Sequence, residues 1–220
     1  MTKTHEIGSS ANAMTLVLVR HGETYANLTG MYDGGGYPPG IGLTNLGKRQ
    51  AMEIAETLKD MHFNAIFYSD LTRAADTANA IHKYHENENI LFMETQQLRE
   101  IKGGLCERRE LGSMKAVFEI ALGNGNSELV GKYLGESRER FHTRINGFLQ
   151  RLYEDFAGKT VLLVCHAGVI NAIQSIWHDT PIERICDYAP VPNGQAMTLE
   201  FTKKQLRSQN QQHIAALARL

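Results

Sequence analysis

The sequence predicts a three-layer α/β/α fold, in which helices cover both faces of a central, mostly parallel sheet. Short apolar runs rich in β-branched residues alternate with segments whose apolar residues recur at helical spacing. The runs at 15–19 and 161–165 are apolar at every position, which is typical of strands buried on both faces. With 220 residues and 42% hydrophobic composition, one large core can form. We expect a flexible leader at 1–13 and a single domain at 14–220.

The first half of the chain predicts the order β, α, β, α, β. After the strand at 15–19, the density of glycine and proline over 27–42 predicts an irregular loop lying over a site. Thr44 is suited to cap a helix that runs to about residue 61. A strand at 65–68, a helix at 71–84 and a short strand at 90–93 follow, and this alternation implies parallel neighbours.

The second half begins with an insertion. Short charged pieces broken by glycines predict an inserted helical lid over about 104–131. A long helix is then predicted from near residue 132 to 156, because it carries an apolar stripe formed by Leu134, Phe141, Ile145, Phe148, Leu152 and Phe156. A buried strand at 161–165, a helix at 169–177 and an edge strand at 196–201 complete the fold.

Charge and composition exclude several classes of protein. The 23 Lys+Arg against 24 Asp+Glu leave a formal charge of -1, so no global field favours nucleic acid or an anionic membrane. No apolar run approaches the ~20 residues that span a bilayer, and residues 1–13 lack the apolar centre of a signal peptide. The three cysteines form no CxxC pair. We expect a soluble, cytoplasmic protein that binds neither nucleic acid nor membranes.

Two of the predicted strands end in the same way. The strand at 15–19 leads into Arg20 and His21, and the strand at 161–165 leads into His166; a glycine follows each histidine within two residues. Ligands of parallel sheets bind outside the carboxyl ends of the strands, so the two imidazoles are expected to face one another. One such histidine would as often only bond a nearby carbonyl, but two in matched settings favour a functional site.

Two arginines are expected at the same edge. Arg20 precedes His21, and Arg73 begins the helix after the strand at 65–68. Guanidinium groups bind phosphate oxygens in bidentate fashion, although Arg73 alone would be typical of a helix surface. Two arginines with a protonated histidine would stabilise the charge of a phosphoryl group in transfer.

No metal or cofactor is expected. The chain has no HExxH motif and no carboxylate-rich loop, and the glycines at 34–36 are not followed by GK[ST]. A metal centre and a nucleotide loop are therefore both poorly supported by the sequence.

The motif Arg20-His21-Gly22-Glu23-Thr24 resembles that of the histidine phosphatase superfamily, which includes the cofactor-dependent phosphoglycerate mutases. Asn27 stands where that family has an asparagine. The resemblance covers about residues 14–201 and continues through the segments 43–51, 69–78, 98–100 and 165–168. It implies a phosphoglycerate mutase-like fold.

The resemblance also implies the chemistry. His21 would be the nucleophile that becomes a phosphohistidine, and Glu100 would be the proton donor to the leaving group. The same carboxylate would then activate water against the phosphoenzyme, so that no metal takes part.

By the same resemblance, the phosphoryl oxygens would be bound by Arg20, Arg73 and His166, and Asn27 and the backbone amide of Ala167 would assist. The assignment of Glu100 has alternatives nearby at Glu94, Glu107 and Glu110. Family members commonly have Gly-x-x-Glu-Gly just after the acid, and here that glycine is replaced by Arg108.

Three functions are compatible with these residues. A hydrolase that releases phosphate from a small phosphorylated metabolite is favoured over a mutase, because only residues 101–165 separate Glu100 from His166, and the mutases usually carry a longer insertion there. A non-catalytic member that binds phosphorylated ligands is the third.

Either an exposed edge strand or the apolar residues of the tail could pair two chains into a homodimer, or could pack within one chain.

Overall fold

A computed structural model describes residues 12–35, 42–86, 89–104, 107, 109–110 and 135–206. Its sheet has five strands in the order β3-β2-β4-β1-β5. They are β1 (Met14–Arg20), β2 (Ala65–Ser69), β3 (Leu91–Thr95), β4 (Thr160–Cys165) and β5 (Ala196–Phe201). The first four are mutually parallel, and β5 runs antiparallel to β1 at one edge. The predicted mostly parallel sheet and the edge position of its last strand are confirmed.

The described helices are α1 (Tyr25–Thr29), α2 (Asn45–Leu58), α3 (Thr72–His82), α4 (Arg138–Phe156) and α5 (Ala167–Trp177). Short 3-10 helices lie at Gln96–Leu98 and Ile182–Asp187. Thr44 caps α2 as predicted, because its Oγ1 accepts a hydrogen bond from the amide of Gly47 at 2.9 Å.

Two predicted boundaries were wrong. The long helix α4 begins at Arg138 and not near residue 132, because Ser137 is its N-cap and Gly135, with φ +90°, lies outside helical geometry. The stretch predicted to be wholly irregular contains α1, which a capping box between Thr24 and Asn27 starts and the left-handed Gly30 ends.

The core lies on both faces of the sheet, since neighbouring side chains of a strand point in opposite directions. Leu16 and Leu18 of β1 pack with the apolar face of α4 and with α5, whereas Val17 and Val19 pack with α2 and α3. This two-sided burial explains why the strand is apolar at every position. The three-layer α/β/α architecture is confirmed.

The pairing of β1 with β4 brings the two histidines together. Arg20 lies opposite Cys165 in this register. The next residue, His21, donates its amide hydrogen to the carbonyl of Cys165 at 3.0 Å. His21 and His166 therefore leave the sheet side by side at its carboxyl edge.

The predicted leader, most of the inserted lid at 104–131 and the end of the tail lie outside the described residues, so those domain boundaries stay predictions. Within the described part of the chain, no helix is both long and apolar enough to cross a membrane.

Candidate active site

His21 is held as one defined tautomer. Its ring is 4% exposed, and Nδ1 lies 2.7 Å from the carbonyl oxygen of Gly22, to which only a protonated nitrogen can donate. Nε2 then carries the lone pair, and it accepts a hydrogen bond from Nε of Arg73 at 3.2 Å. A neutral imidazole thus presents a nucleophilic nitrogen beside a guanidinium group.

His166 lies against His21, with 5.1 Å between the ring centroids. Its side chain is 1% exposed, and Nε2 lies 2.9 Å from Oγ of Ser69, the last residue of β2. Nδ1 of His166 is buried and has no partner within the described structure. His166 is also the N-cap residue of α5, so the free amides of that helix start beside the imidazoles.

Arg20 and Arg73 both reach this edge. Arg20 donates from Nη1 to the carbonyl oxygen of Val191 at 2.9 Å, while its Nε is buried without a partner among the described residues. Arg73 is 1% exposed. Burial lowers the pKa of both guanidinium groups, and the carboxylate of Glu100 opposes this shift in each of them.

The loop after α1 occupies Arg73 in this structure. Arg73 donates to Oδ2 of Asp33 at 3.1 Å and, from Nη2, to the carbonyl oxygens of Asp33 and Gly34 at 2.8 and 3.1 Å. Glu107 supports that loop by accepting from the amide of Gly34 at 2.8 Å and from that of Gly103 at 2.7 Å. A phosphoryl group would have to replace Asp33 at the guanidinium.

Glu100 is placed by two backbone amides. Its Oε2 accepts from Gly168 in the first turn of α5 at 2.9 Å, and its Oε1 accepts from Ile101 at 2.9 Å. A Cβ atom at Gly168 would lie 2.2 Å from Oε1 of Glu100, so only glycine allows this approach. The carboxylate therefore sits beside the amide end of the helix that follows His166.

The other three candidate carboxylates have different surroundings. Glu94 is an exposed residue of the edge strand β3, and Glu107 is engaged with backbone amides. The backbone of Glu110 forms an isolated antiparallel β-bridge with that of Met31. Of the four candidates, the structure brings Glu100 next to the helix that follows His166, while Arg108 and the lid lie outside the described residues.

Both buried imidazoles favour the neutral form in this structure. Burial is the main cause that lowers the pKa of His21 well below its usual value, followed by the charge of Arg73. Burial and Arg73 lower the pKa of His166 in the same way. The protonated histidine expected from sequence concerns a phosphoryl group in transfer and stays a prediction.

Sequence reasoning missed one wall of the site. Asn193, in the turn before β5, donates to the carbonyl oxygen of His21 at 3.0 Å and to Oδ1 of Asn27 at 3.2 Å. Oδ1 of Asn27 also accepts from the amide of Thr24 at 3.1 Å. The oxygen of Asn27 is thus committed, and only its NH2 group remains to meet a ligand. No motif marked Asn193, which comes 172 residues after His21.

A second missed group holds the segment that leads to Glu100. Arg144 of α4 donates from Nη1 to the carbonyl oxygens of Gln97 and Arg99 at 2.6 and 3.0 Å, and it pairs with Glu136 at 2.7 Å. Arg99 in turn makes a bidentate ion pair with Asp70. These contacts tie the segment before Glu100 to β2 and α4.

The site is suited to anion chemistry. It combines two guanidinium groups, two neutral imidazoles, helix amides and two carboxylates, that of Glu100 and that of Asp33 on Arg73. Over the residues that the structure describes, no group of three or more His, Cys, Asp or Glu side chains could hold a metal ion. A nucleophilic nitrogen among anion-binding donors can attack an electrophile that carries negatively charged oxygens.

Comparison with known proteins agrees with this geometry. The model of the histidine phosphatase superfamily (branch 1) matches residues 16–212. Adenosylcobalamin/alpha-ribazole phosphatase of Salmonella typhi is 28% identical over 174 residues, which cover 75% of this chain and 84% of that protein. The probable phosphoglycerate mutase GpmB of Cronobacter sakazakii is 32% identical over 166 residues, 74% of each chain.

Solved structures share the fold. A putative alpha-ribazole-5'-P phosphatase of Escherichia coli superposes with a TM-score of 0.73 at 27% identity, covering 88% of this chain and 93% of that one. Phosphoglycerate mutase of Bacillus anthracis superposes with a TM-score of 0.70 at 25% identity, covering 87% and 89%. The fold is therefore phosphoglycerate mutase-like, as the sequence motif implied. Motif, fold and family model agree, and the chain belongs to the histidine phosphatase superfamily.

Proposed function

We propose that this protein is a metal-independent phosphatase that hydrolyses a small phosphorylated metabolite through a phosphohistidine at His21. The observation that carries the proposal is the state of His21. Gly22 fixes the proton on Nδ1, and burial beside Arg73 keeps the ring neutral, so Nε2 carries the lone pair and becomes a nucleophile once Nε of Arg73 releases it.

Substrate binding would use the cationic donors. The phosphoryl oxygens would be bound by the guanidinium groups of Arg20 and Arg73, by His166 and by the free amide of Ala167. Arg73 would exchange Asp33 and the loop carbonyls for phosphoryl oxygens. Once Arg73 is released from Asp33 and the loop carbonyls, these donors would stabilise the charge of the transition state.

The reaction would proceed in two steps. Nε2 of His21 attacks phosphorus in line, the bond to the leaving oxygen breaks, and the carboxyl group of Glu100 gives its proton to that oxygen. Glu100, now a carboxylate, takes a proton from water as the water oxygen attacks the phosphohistidine. The bond from nitrogen to phosphorus breaks, and inorganic phosphate leaves.

Phosphoglycerate mutase is a second candidate, supported by the 32% identity to a probable phosphoglycerate mutase. The two functions share the phosphohistidine and differ in its acceptor, which is water in one and a second hydroxyl in the other. We favour water because only residues 101–165 separate Glu100 from His166. Phosphatases among the similar proteins also support hydrolysis.

The test compares wild type, His21→Ala and a matched His62→Ala control on p-nitrophenyl phosphate in excess EDTA. His62 is exposed in the connection before β2, at the amino end of the parallel strands, whereas the site lies at their carboxyl end. We expect EDTA-resistant phosphate release by wild type and His62→Ala, with a loss of at least ~10³-fold in His21→Ala. Equal activity of all three proteins would refute the phosphohistidine mechanism, and loss of activity in EDTA would refute metal independence.

A parallel assay separates the two candidates. The protein is incubated with 3-phosphoglycerate, with and without 2,3-bisphosphoglycerate, and both free phosphate and 2-phosphoglycerate are measured. Isomerisation without phosphate release would establish a mutase. Inactivity toward every ester, with phosphate binding retained, would favour a non-catalytic phospho-ligand binding protein.

We further propose a cytoplasmic location. Cys165 is a free, buried thiol, and the chain has three cysteines without CxxC pairing, which suits a reducing compartment. Fractionation of the native host would test this.

A further inference from the structure

Ser69 is a fully buried side chain whose purpose the mechanism above leaves unexplained. It is the last residue of β2, its side chain is 0% exposed, and its Oγ lies 2.9 Å from Nε2 of His166. β2 pairs with β4, the strand that ends just before His166. Ser69 therefore reaches the imidazole from the side opposite to β1 and His21.

The hydrogen bonds of Ser69 decide the direction of its contact with His166. The amide of Leu71 donates to Oγ of Ser69 at 3.4 Å. The hydroxyl must place its own single hydrogen on an acceptor, because a buried unpaired donor is costly. Among its partners in the described structure, only Nε2 of His166 can accept. The hydroxyl therefore donates to Nε2, and the imidazole proton must reside on Nδ1.

Nδ1 of His166 lacks a partner among the described residues in either tautomer, so the two forms differ in what else they leave unpaired. The Nδ1–H form leaves one buried group unpaired, whereas the Nε2–H form leaves two, Nδ1 and the hydroxyl hydrogen of Ser69. Nδ1 itself is buried, in a ring whose centroid is 5.1 Å from that of His21. A buried N–H without an acceptor is unfavourable until a ligand oxygen arrives to accept from it. In the other tautomer, Nδ1 would present a lone pair, which repels an anionic oxygen.

The two imidazoles then share one tautomer and have opposite tasks. In His21, the Nδ1 proton is bound to the carbonyl of Gly22, and the lone pair on Nε2 accepts from Nε of Arg73, which must release it before it can attack phosphorus. In His166, the lone pair on Nε2 is bound to Ser69 and the Nδ1 proton is left for an oxygen. The two proposed roles differ because the carbonyl of Gly22 binds Nδ1 of His21, whereas the hydroxyl of Ser69 binds Nε2 of His166.

We propose that Ser69 is a positioning residue that fixes His166 in the Nδ1–H tautomer, so that this imidazole donates a hydrogen bond to a phosphoryl oxygen. The inference rests on the proposed function for the identity of the ligand. The tautomer itself is a property of the free protein and does not depend on turnover.

The first measurement is the tautomer. Long-range ¹H–¹⁵N correlation spectra of protein labelled at histidine distinguish protonated from unprotonated ring nitrogens, and a His166→Gln variant assigns the signal. We expect wild-type His166 to carry its proton on Nδ1 at neutral pH. A proton on Nε2 overturns the proposal, even if the protein hydrolyses esters well.

Variants extend the test. Ser69→Ala removes the hydroxyl, and Ser69→Thr keeps one. Ser175→Ala is the matched control, because Ser175 is also 0% exposed and its hydroxyl donates to the carbonyl of Ala172 in its own helix. The readouts are the His166 tautomer, the inhibition constant of inorganic phosphate and kcat/KM for p-nitrophenyl phosphate.

We expect Ser69→Ala to populate the Nε2–H form and to weaken phosphate binding ~10-fold or more, the usual loss of a hydrogen bond to a charged group. Ser69→Thr and Ser175→Ala should keep the tautomer and the phosphate affinity of wild type. Unchanged phosphate affinity in Ser69→Ala, or an equal loss in Ser175→Ala, overturns the proposal. If no ester is hydrolysed, the tautomer and the phosphate affinity still decide, so the two proposals can fail separately.

Discussion

The substitution Gly168→Ala should displace the proposed proton donor, Glu100, while leaving the proposed phosphate-binding donors in place. The new Cβ would lie 2.2 Å from Oε1 of Glu100 and 3.0 Å from its Cδ. Moving that oxygen out to 3.0 Å, the least that real Cβ atoms tolerate, already requires a shift of about 0.8 Å (3.0 − 2.2). The hydrogen bond from the Gly168 amide to Oε2 would be strained as well.

A displacement of ~1 Å in a reacting group can cost ~10²-fold in rate. We therefore expect kcat/KM for an alkyl phosphate such as β-glycerophosphate to fall ~10² -fold in Gly168→Ala. The loss should be smaller for p-nitrophenyl phosphate, because p-nitrophenolate leaves readily without a proton. The inhibition constant of inorganic phosphate should change little, since Arg20, Arg73 and His166 are not touched.

Gly147→Ala is the matched control. Gly147 also lies within a helix, but a Cβ there would meet nothing closer than Nη1 of Arg151 at 3.8 Å. Alanine should stabilise α4 by up to ~1 kcal/mol and leave kinetics unchanged. Equal losses of kcat/KM for both esters in Gly168→Ala, or no loss at all, would refute the assignment of Glu100 as proton donor.

Three further predictions follow from the site and its surroundings. Asp33→Asn removes the charge that competes for Arg73, so the inhibition constant of inorganic phosphate should fall ~10-fold; an unchanged or higher constant would mean that Asp33 does not compete. The lowered pKa values of His21 and His166 mean that, below about pH 6.5, the unfolded chain takes up protons that the folded protein does not. The free energy of unfolding should therefore fall as the pH is lowered, by up to ~1.4 kcal/mol per pH unit for each histidine, and the melting temperature should drop between pH 7.5 and 5.5. His21→Ala should make this dependence on pH less steep, and an equally steep dependence in both proteins would contradict the reasoning. Gly47→Ala would place a Cβ 2.0 Å from a carbonyl oxygen of the loop after β1, so we expect a loss of several kcal/mol in urea unfolding, and a loss below ~1 kcal/mol would show that the loop yields.

The sequence predicted the features that depend on short stretches of chain. The strand ending in His21 and the strand ending in His166 could each be read from apolar runs, and the geometry of parallel sheets then placed their ends together. The predicted start of α4 was wrong because the sequence pattern counted Leu134 in the apolar stripe, whereas the helix begins after the cap at Ser137.

Contacts between distant segments were beyond such reasoning. The Arg73–Asp33 ion pair joins residues 40 apart, and the bond between Asn193 and His21 joins residues 172 apart. Neither Asp33 nor Asn193 stands in a local pattern that marks it, and Asp33 lies in a loop rich in glycine and proline. Ser69 begins the segment 69–78 that resembles the family, but nothing in the sequence shows that its hydroxyl contacts His166.

The pairing of β1 with β4 separates the chemistry of this protein from its selectivity. The spacing of the two imidazoles is set by hydrogen bonds between adjacent strands and not by the chain that connects them. Segments that connect the strands between His21 and His166 can therefore lengthen, shorten or change sequence without moving one imidazole relative to the other, provided that the sheet is kept. Such an arrangement would allow the same proposed reaction to act on different substrates through changes in the connecting segments alone.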